Sequence, residues 1–396
     1  MSGNFGWRGE SRDRDDAAPS AFSDAHSAYS PGTSYTRSMP SADPGTVGPA
    51  PFSRRVDPDP VPPSPAYPPV DLTVRPHTIS ALNYLGVAID TTGSVGPWRP
   101  ELFKRLAFLF LKSLDFLGGK SGHKHDPTVD NDPPDSAPVT MIDGRKILEL
   151  QFVGFGDASV NGRYGRSDTI EVAPPGSGPE LEGYLHHMRK DCDGGGNDCE
   201  SSDMALLYAD RMLNFPHSIR QKLFVIVTDE PYPEVIDPEH AMRWLGITLQ
   251  APTPLRKVVD SLRTRGWSVW CVQKPYGSYP SDPTTQATRD KWKKLLGNER
   301  VVDLDDARRV VDVIIGIVAL AAGKFDAFTA DLRSRHLTPG NPYGRVNVDT
   351  VLTSLAPAST VLGAARPLRA PQSRRLLPAG GDSGPMVIDA EIVEDA

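Results

Sequence analysis

From about residue 80 the chain alternates two kinds of apolar segment. Short, nearly unbroken runs occur at "LGVAID" (85–90), "KILELQFVGFGD" (146–157), "KLFVIVTDEPYPE" (222–234), "WSVWCVQ" (267–273) and "RVVDL" (300–304). Their length and continuity predict strands buried on both faces. Between them, "PELFKRLAFLFLKSLDFL" (100–117), "DMALLYADRML" (203–213), "PLRKVVDSLRTRG" (254–266), "TTQATRDKWKKLLG" (284–297) and a long apolar stretch over 306–323 repeat apolar residues at helical spacing. A further helix is expected over 177–190, and "DTIEVA" (168–173) reads as a short edge strand. The alternation predicts an α/β fold, an open and mostly parallel central sheet flanked by helices, with five central strands and one at the edge.

This pattern fails at both ends. The first 75 residues carry thirteen prolines and no long apolar run, so residues 1–78 are expected to be a disordered Pro/Ser/Asp-rich arm that buries too little surface to offset its ordering entropy. The folded domain is expected over 79–330, with a polar insertion near 119–141. Residues 331–396 read as a low-complexity, mostly disordered tail, whose final "MVIDAEIVEDA" alternates apolar and acidic residues.

Composition narrows the function. A formal net charge of −7 gives no electrostatic footprint for nucleic acid. The most apolar span, "VVDVIIGIVALAAG" (310–323), includes Asp312 and is too short to cross a bilayer, and the N-terminus lacks a basic-then-apolar leader. The expectation is a cytoplasmic protein without membrane or nucleic-acid partners. Three cysteines, Cys192, Cys199 and Cys271, form no disulfide framework and lack the neighbours of a zinc site. His123 and His125 read as loop residues, and the adjacent His186 and His187 point to different helix faces. Trp98, Trp244, Trp267 and Trp270 read as packing residues.

Polar chemistry collects where strands end. "DTTGS" places oxygens at alternate positions, Asp90, Thr92 and Ser94, directly after the first strand. Helix capping and catalysis are open readings of that stretch alone. A hard divalent cation is a third, because such ions take carboxylate and hydroxyl oxygens. Asp229 closes another strand in "VIVTDEP", and "DCDGGGNDCESS" (191–202) supplies a polar loop between them. In open α/β sheets, ligands gather at this edge.

Over about residues 82–325 these motifs resemble the von Willebrand factor type A domain and its metal-ion-dependent adhesion site, in a bacterial intracellular subtype. "DTTGS" is similar to the family's Asp-x-Ser-x-Ser, with Thr92 in the first hydroxyl position, and Asp229 is similar to its later metal-coordinating aspartate. "GGGNDCESS" resembles a bacterial triglycine variant, with Asn197 in the aspartate position, Asp198 adjacent and Glu200 matching the glutamate.

The resemblance implies a metal set drawn from Asp90, Thr92, Ser94, Asn197, Asp198 and Asp229, holding Mg2+, with Mn2+ or Ca2+ as alternatives. It implies a non-enzymatic binding or scaffold module whose ion accepts an Asp or Glu of a protein partner. AAA+ ATPase or kinase-linked regulatory, stress or defence complexes are the expected setting. The competing readings are a metal-dependent phosphoester hydrolase, disfavoured because no Lys or Arg is evident near the ion, and a metal-free structural module.

Overall fold

The computed structural model describes residues 72–95, 98–120, 138–157, 170–176, 181, 188, 200–276, 281–337 and 343–362. The 177–190 helix, apart from Leu181 and Met188, lies outside them. So do His123, His125, Cys192, Asn197, Asp198, Cys199, the N-terminal arm to residue 71 and the final 34 residues.

Six strands form the central sheet: β1 (Asn83–Asp90), β2 (Leu148–Phe155), β3 (Ile170–Val172), β4 (Gln221–Thr228), β5 (Trp267–Gln273) and β6 (Val301–Asp303). Their order is β6-β5-β4-β1-β2-β3, parallel throughout except for the antiparallel edge strand β3. The strand periodicity of two divides the side chains between two cores. Leu85, Val87 and Ile89 of β1 and Leu223, Val225 and Val227 of β4 enter one; Tyr84, Ala88, Phe224 and Ile226 enter the other.

Nine helices of the described residues cover these faces. On the first face lie α1 (Trp98–Lys104), α2 (Leu106–Leu117), α7 (Val310–Ala321), α8 (Phe325–His336) and α9 (Gly344–Leu362); on the second lie α3 (Ser202–Arg211), α4 (Pro238–Leu245), α5 (Leu255–Thr264) and α6 (Pro283–Leu296). No helix among the described residues is long and apolar enough to cross a membrane. Trp98, Trp267 and Trp270 are buried, and Trp244 packs against the second core.

Three expectations change. The single helix over 100–117 is two, because Arg105 leaves helical geometry (φ −117°, ψ 22°) and its guanidinium grips Asp312 of α7 with both terminal nitrogens. Helix α4 was not anticipated, although Asp237 caps it by accepting from the Glu239 N–H, Pro238 starts it and Gly246 ends it at φ 66°. The low-complexity tail does not begin at 331. Val348, Val351, Leu355 and Ala358 follow helical spacing and are buried against α7 and α8, a periodicity that Pro357 and the many small residues obscured.

Gly316 makes that last packing possible. A Cβ there would meet Phe328 Cε1 and Cζ of α8 at 3.0 Å and collide with Leu355 Cδ1 of α9. Gly316→Val is therefore expected to lower unfolding stability by about 1–3 kcal/mol, the range for overpacking a core. Urea denaturation checks this; an unchanged midpoint would show that α9 docks without the close approach.

Candidate metal centre

Two neighbouring parallel strands build the centre. In the β1–β4 ladder Ile89 faces Val227, which brings Asp90 and the Thr228–Asp229 pair to the same carboxyl edge. Thr228 Oγ1 donates to Asp90 Oδ2 at 2.9 Å. Beyond β1 the chain is tied to β2, as Thr91 donates to the Phe155 carbonyl through both its N–H and its hydroxyl. It then turns through a 3-10 segment, Gly93–Val95.

The turn closes on the carboxylate. Thr92 donates to Asp90 Oδ1 from its N–H at 2.8 Å and its Oγ1 at 2.6 Å. Thr92 Oγ1 and Ser94 Oγ lie 3.2 Å apart, and Ser94 Oγ donates to Asp229 Oδ1 at 2.9 Å across 135 positions of sequence. Asp90, Thr92, Ser94 and Asp229 thus form one continuous chain of oxygens. Both aspartates are fully buried, whereas Ser94 is exposed and marks the solvent side.

Two further residues belong here. Glu200, just before α3, is buried, and its Oε2 has no hydrogen-bond partner among the described residues. Burial, reinforced by the charges of Asp90, Asp157, Glu230 and Asp229, pushes its carboxyl up to about 10. Burial also raises Asp90, to about 6, against the lowering effect of its Thr92 hydrogen bonds and with the charge of Asp229 adding to the rise.

Lys274 was missed. It follows β5 and sets its ammonium 2.9 Å from Asp229 Oδ2. The expectation that no Lys or Arg stands close to these oxygens is therefore overturned. The sequence signal was its place immediately after a central strand, one strand over from Asp229.

These donors fit a hard divalent cation. All are oxygens, two of the carboxylates are wholly desolvated, and Glu200 carries an orphaned buried oxygen that a cation would satisfy. Among the described residues no group of three or more His, Cys, Asp or Glu is arranged to hold a metal by itself, so hydroxyls and water would complete the shell. Asn197 and Asp198 lie outside the described residues. A separate cavity of about 600 Å3 opens at the ends of β5 and β6, lined by Gln273, Thr285, Arg289 and Asp303 with Asp349 and Thr353 of α9. It contains none of the four linked oxygen residues.

No family model and no curated protein matches the chain. Among solved structures it is similar to the pilus adhesin SpaC from Lactobacillus rhamnosus GG in its open conformation, at 14% identity over 65% of this chain and 31% of that one, with a TM-score of 0.38. It is also similar to proximal thread matrix protein 1 from the mussel byssus, at 12% identity over 62% of this chain and 48% of that one, with a TM-score of 0.34. A form of the mussel protein with a zinc-occupied metal-ion-dependent adhesion site motif gives 12% identity, 63% and 47% coverage, and a TM-score of 0.34. The chain spans about a third to a half of the lengths of these structures. The zinc belongs to the mussel protein.

Proposed function

We propose that the chain is a Mg2+-dependent protein-binding module whose ion is held by Asp90, Thr92, Ser94 and Asp229 and accepts an Asp or Glu side chain from a partner. The observation that carries this reading is the oxygen chain itself: two fully buried aspartates from adjacent strand ends, joined through the hydroxyls of Thr92 and the exposed Ser94. When bound, the ion supplies a positive centre with an open position for an anionic oxygen. The residues supply the rest. Thr92 and Thr228 fix the Asp90 carboxylate in place, Ser94 orients Asp229, and Lys274 holds Asp229 in the metal-free centre. Neutral hydroxyls limit the negative charge of the set and leave the ion electrophilic. A regulatory or adaptor complex in a bacterial cytoplasm is the setting we infer, with an AAA+ ATPase or a kinase-linked system as the partner.

The test is affinity capture with the full chain in Mg2+ and in EDTA, repeated with Asp229→Ala. A partner retained in Mg2+ alone, and lost with the variant, supports the reading. Equal retention in all conditions would place recognition elsewhere. Lys274 supplies a positive charge of the kind a phosphoester hydrolase would need; in the metal-free centre its ammonium is engaged by Asp229 and by the Pro275 carbonyl at 3.1 Å.

A further inference from the structure

Asp229 has a cation already. Its carboxylate is fully buried, its Oδ1 takes the Ser94 hydroxyl, and its Oδ2 takes the Lys274 ammonium at 2.9 Å. The lysine is built into the same edge, because its N–H donates to the Thr228 carbonyl at 3.0 Å and so continues the β4–β5 ladder past its last paired residues. Its side chain is 13% exposed, so the ammonium meets Asp229 largely out of water. Asp90 is treated differently: the hydrogen bonds its oxygens receive come from the Thr92 and Thr228 hydroxyls and the Thr92 N–H, all neutral donors.

We propose that Lys274 is a resident cation that a divalent ion must displace from Asp229, so that the centre works by cation exchange. This rests on the metal reading above and adds what sets its affinity. A divalent ion held by Asp90 and Asp229 would share the Asp229 carboxylate with the ammonium, which stands 2.9 Å from Asp229 Oδ2, and charges of like sign brought close together repel strongly where water is excluded. A buried carboxylate without a partner is costly, so the lysine keeps the metal-free centre folded and in exchange weakens metal binding. The Pro275 carbonyl, already 3.1 Å from the ammonium, gives the released group an acceptor beside the site.

The experiment is Mn2+ binding to the full chain, measured by the electron paramagnetic resonance of free Mn2+ and by melting in EDTA and in saturating Mn2+. The variants are Lys274→Met, Lys274→Gln, Lys274→Arg and Asp90→Asn. Both neutral Lys274 variants are expected to bind Mn2+ about tenfold tighter than wild type or better, since they remove a full charge beside the ion; Lys274→Arg restores weak binding. The neutral variants should also melt below wild type in EDTA and at or above it in Mn2+, a reversal that a merely structural lysine would not give. The exchange proposal alone is overturned if wild type binds Mn2+, Asp90→Asn does not, and both neutral Lys274 variants bind no tighter than wild type. Absence of Mn2+ binding by wild type itself overturns the metal reading and this one with it.

Discussion

Asp90→Asn is expected to abolish the thermal stabilisation that Mg2+ gives the wild-type chain while leaving the metal-free protein at least as stable as wild type above pH 7. The amide can reproduce the local bonds: its oxygen takes the two Thr92 donors, and its nitrogen can donate to Thr228 Oγ1, which already sits 2.9 Å from the carboxylate. What it loses is the charge that binds the ion. At a hundredfold excess of Mg2+ over Kd, a ligand that binds only the folded state contributes about 2.7 kcal/mol. For a domain of this size that corresponds to a Tm rise of roughly 5–10 °C, and the variant should show none of it.

The same residue fixes the pH dependence. Burial lifts Asp90 from its ordinary 3.8 to about 6, so the folded metal-free state holds this proton more tightly than the unfolded chain does. Its contribution therefore lowers stability as pH rises from about 3.8 to about 6, and the penalty persists above. Glu200, raised from 4.5 to about 10 chiefly by burial and then by the charge of Asp90, acts in the same direction over a higher window. Protons compete with the ion for these groups. The difference between Tm in Mg2+ and Tm in EDTA should accordingly grow from pH 5.5 to pH 8 in wild type. A difference that is flat with pH and survives Asp90→Asn would mean that Mg2+ acts at another place.

Much of this was legible because the central elements are locally consistent. "LGVAID" and "LFVIVTD" have the apolar continuity of strands packed on both faces, and each ends in the aspartate that the sheet carries to its edge. The alternation of oxygens at 90, 92 and 94 likewise translated into a turn whose hydroxyls fold back on one carboxylate. What escaped was long-range pairing. Lys274 in "VQKP" is set apart from a solvated lysine only by its place after a central strand, and the β4–β5 register is what brings it to Asp229. Arg105 looks like an ordinary exposed position of one amphipathic helix, and its non-helical backbone and its ion pair with the buried Asp312 on α7 emerge only in the folded chain. Helix α9 was hidden by its composition rather than its pattern, since Gly, Pro, Ser and Thr dilute four well-spaced apolar contacts.

The largest loss of stability is expected from Asp312→Ala, on the face of the sheet opposite α3–α6. Asp312 is fully buried in the first turn of α7. Arg105 reaches it from the α1–α2 junction at 2.9 and 3.2 Å, and Arg335 reaches it from α8 at 3.0 Å. Both guanidiniums also lie 4.8 Å from the ring centroid of Phe108 in α2. Asp331 extends the network by bonding Arg335 at 2.8 Å and Lys112 at 2.7 Å. Burial alone would raise the Asp312 carboxyl, but the Arg105 and Arg335 charges outweigh it and hold the group well below its ordinary value. Its stabilising contribution is therefore complete above about pH 3.8 and is lost only as pH falls through the depressed folded value. Removing the acid takes this carboxylate from Arg105 and leaves Arg335 only Asp331, and breaking a buried pair in this way typically costs about 3–5 kcal/mol. Urea denaturation at pH 8 should show that loss, with the gap to wild type narrowing below pH 4. Replacing the network by apolar groups, as Asp312→Leu with Arg105→Met and Arg335→Met, should recover most of the loss, because an ion pair exchanged for packed side chains of similar volume is often close to neutral. If the triple variant is no more stable than Asp312→Ala, the cost lies in lost packing around α8 rather than in stranded charge.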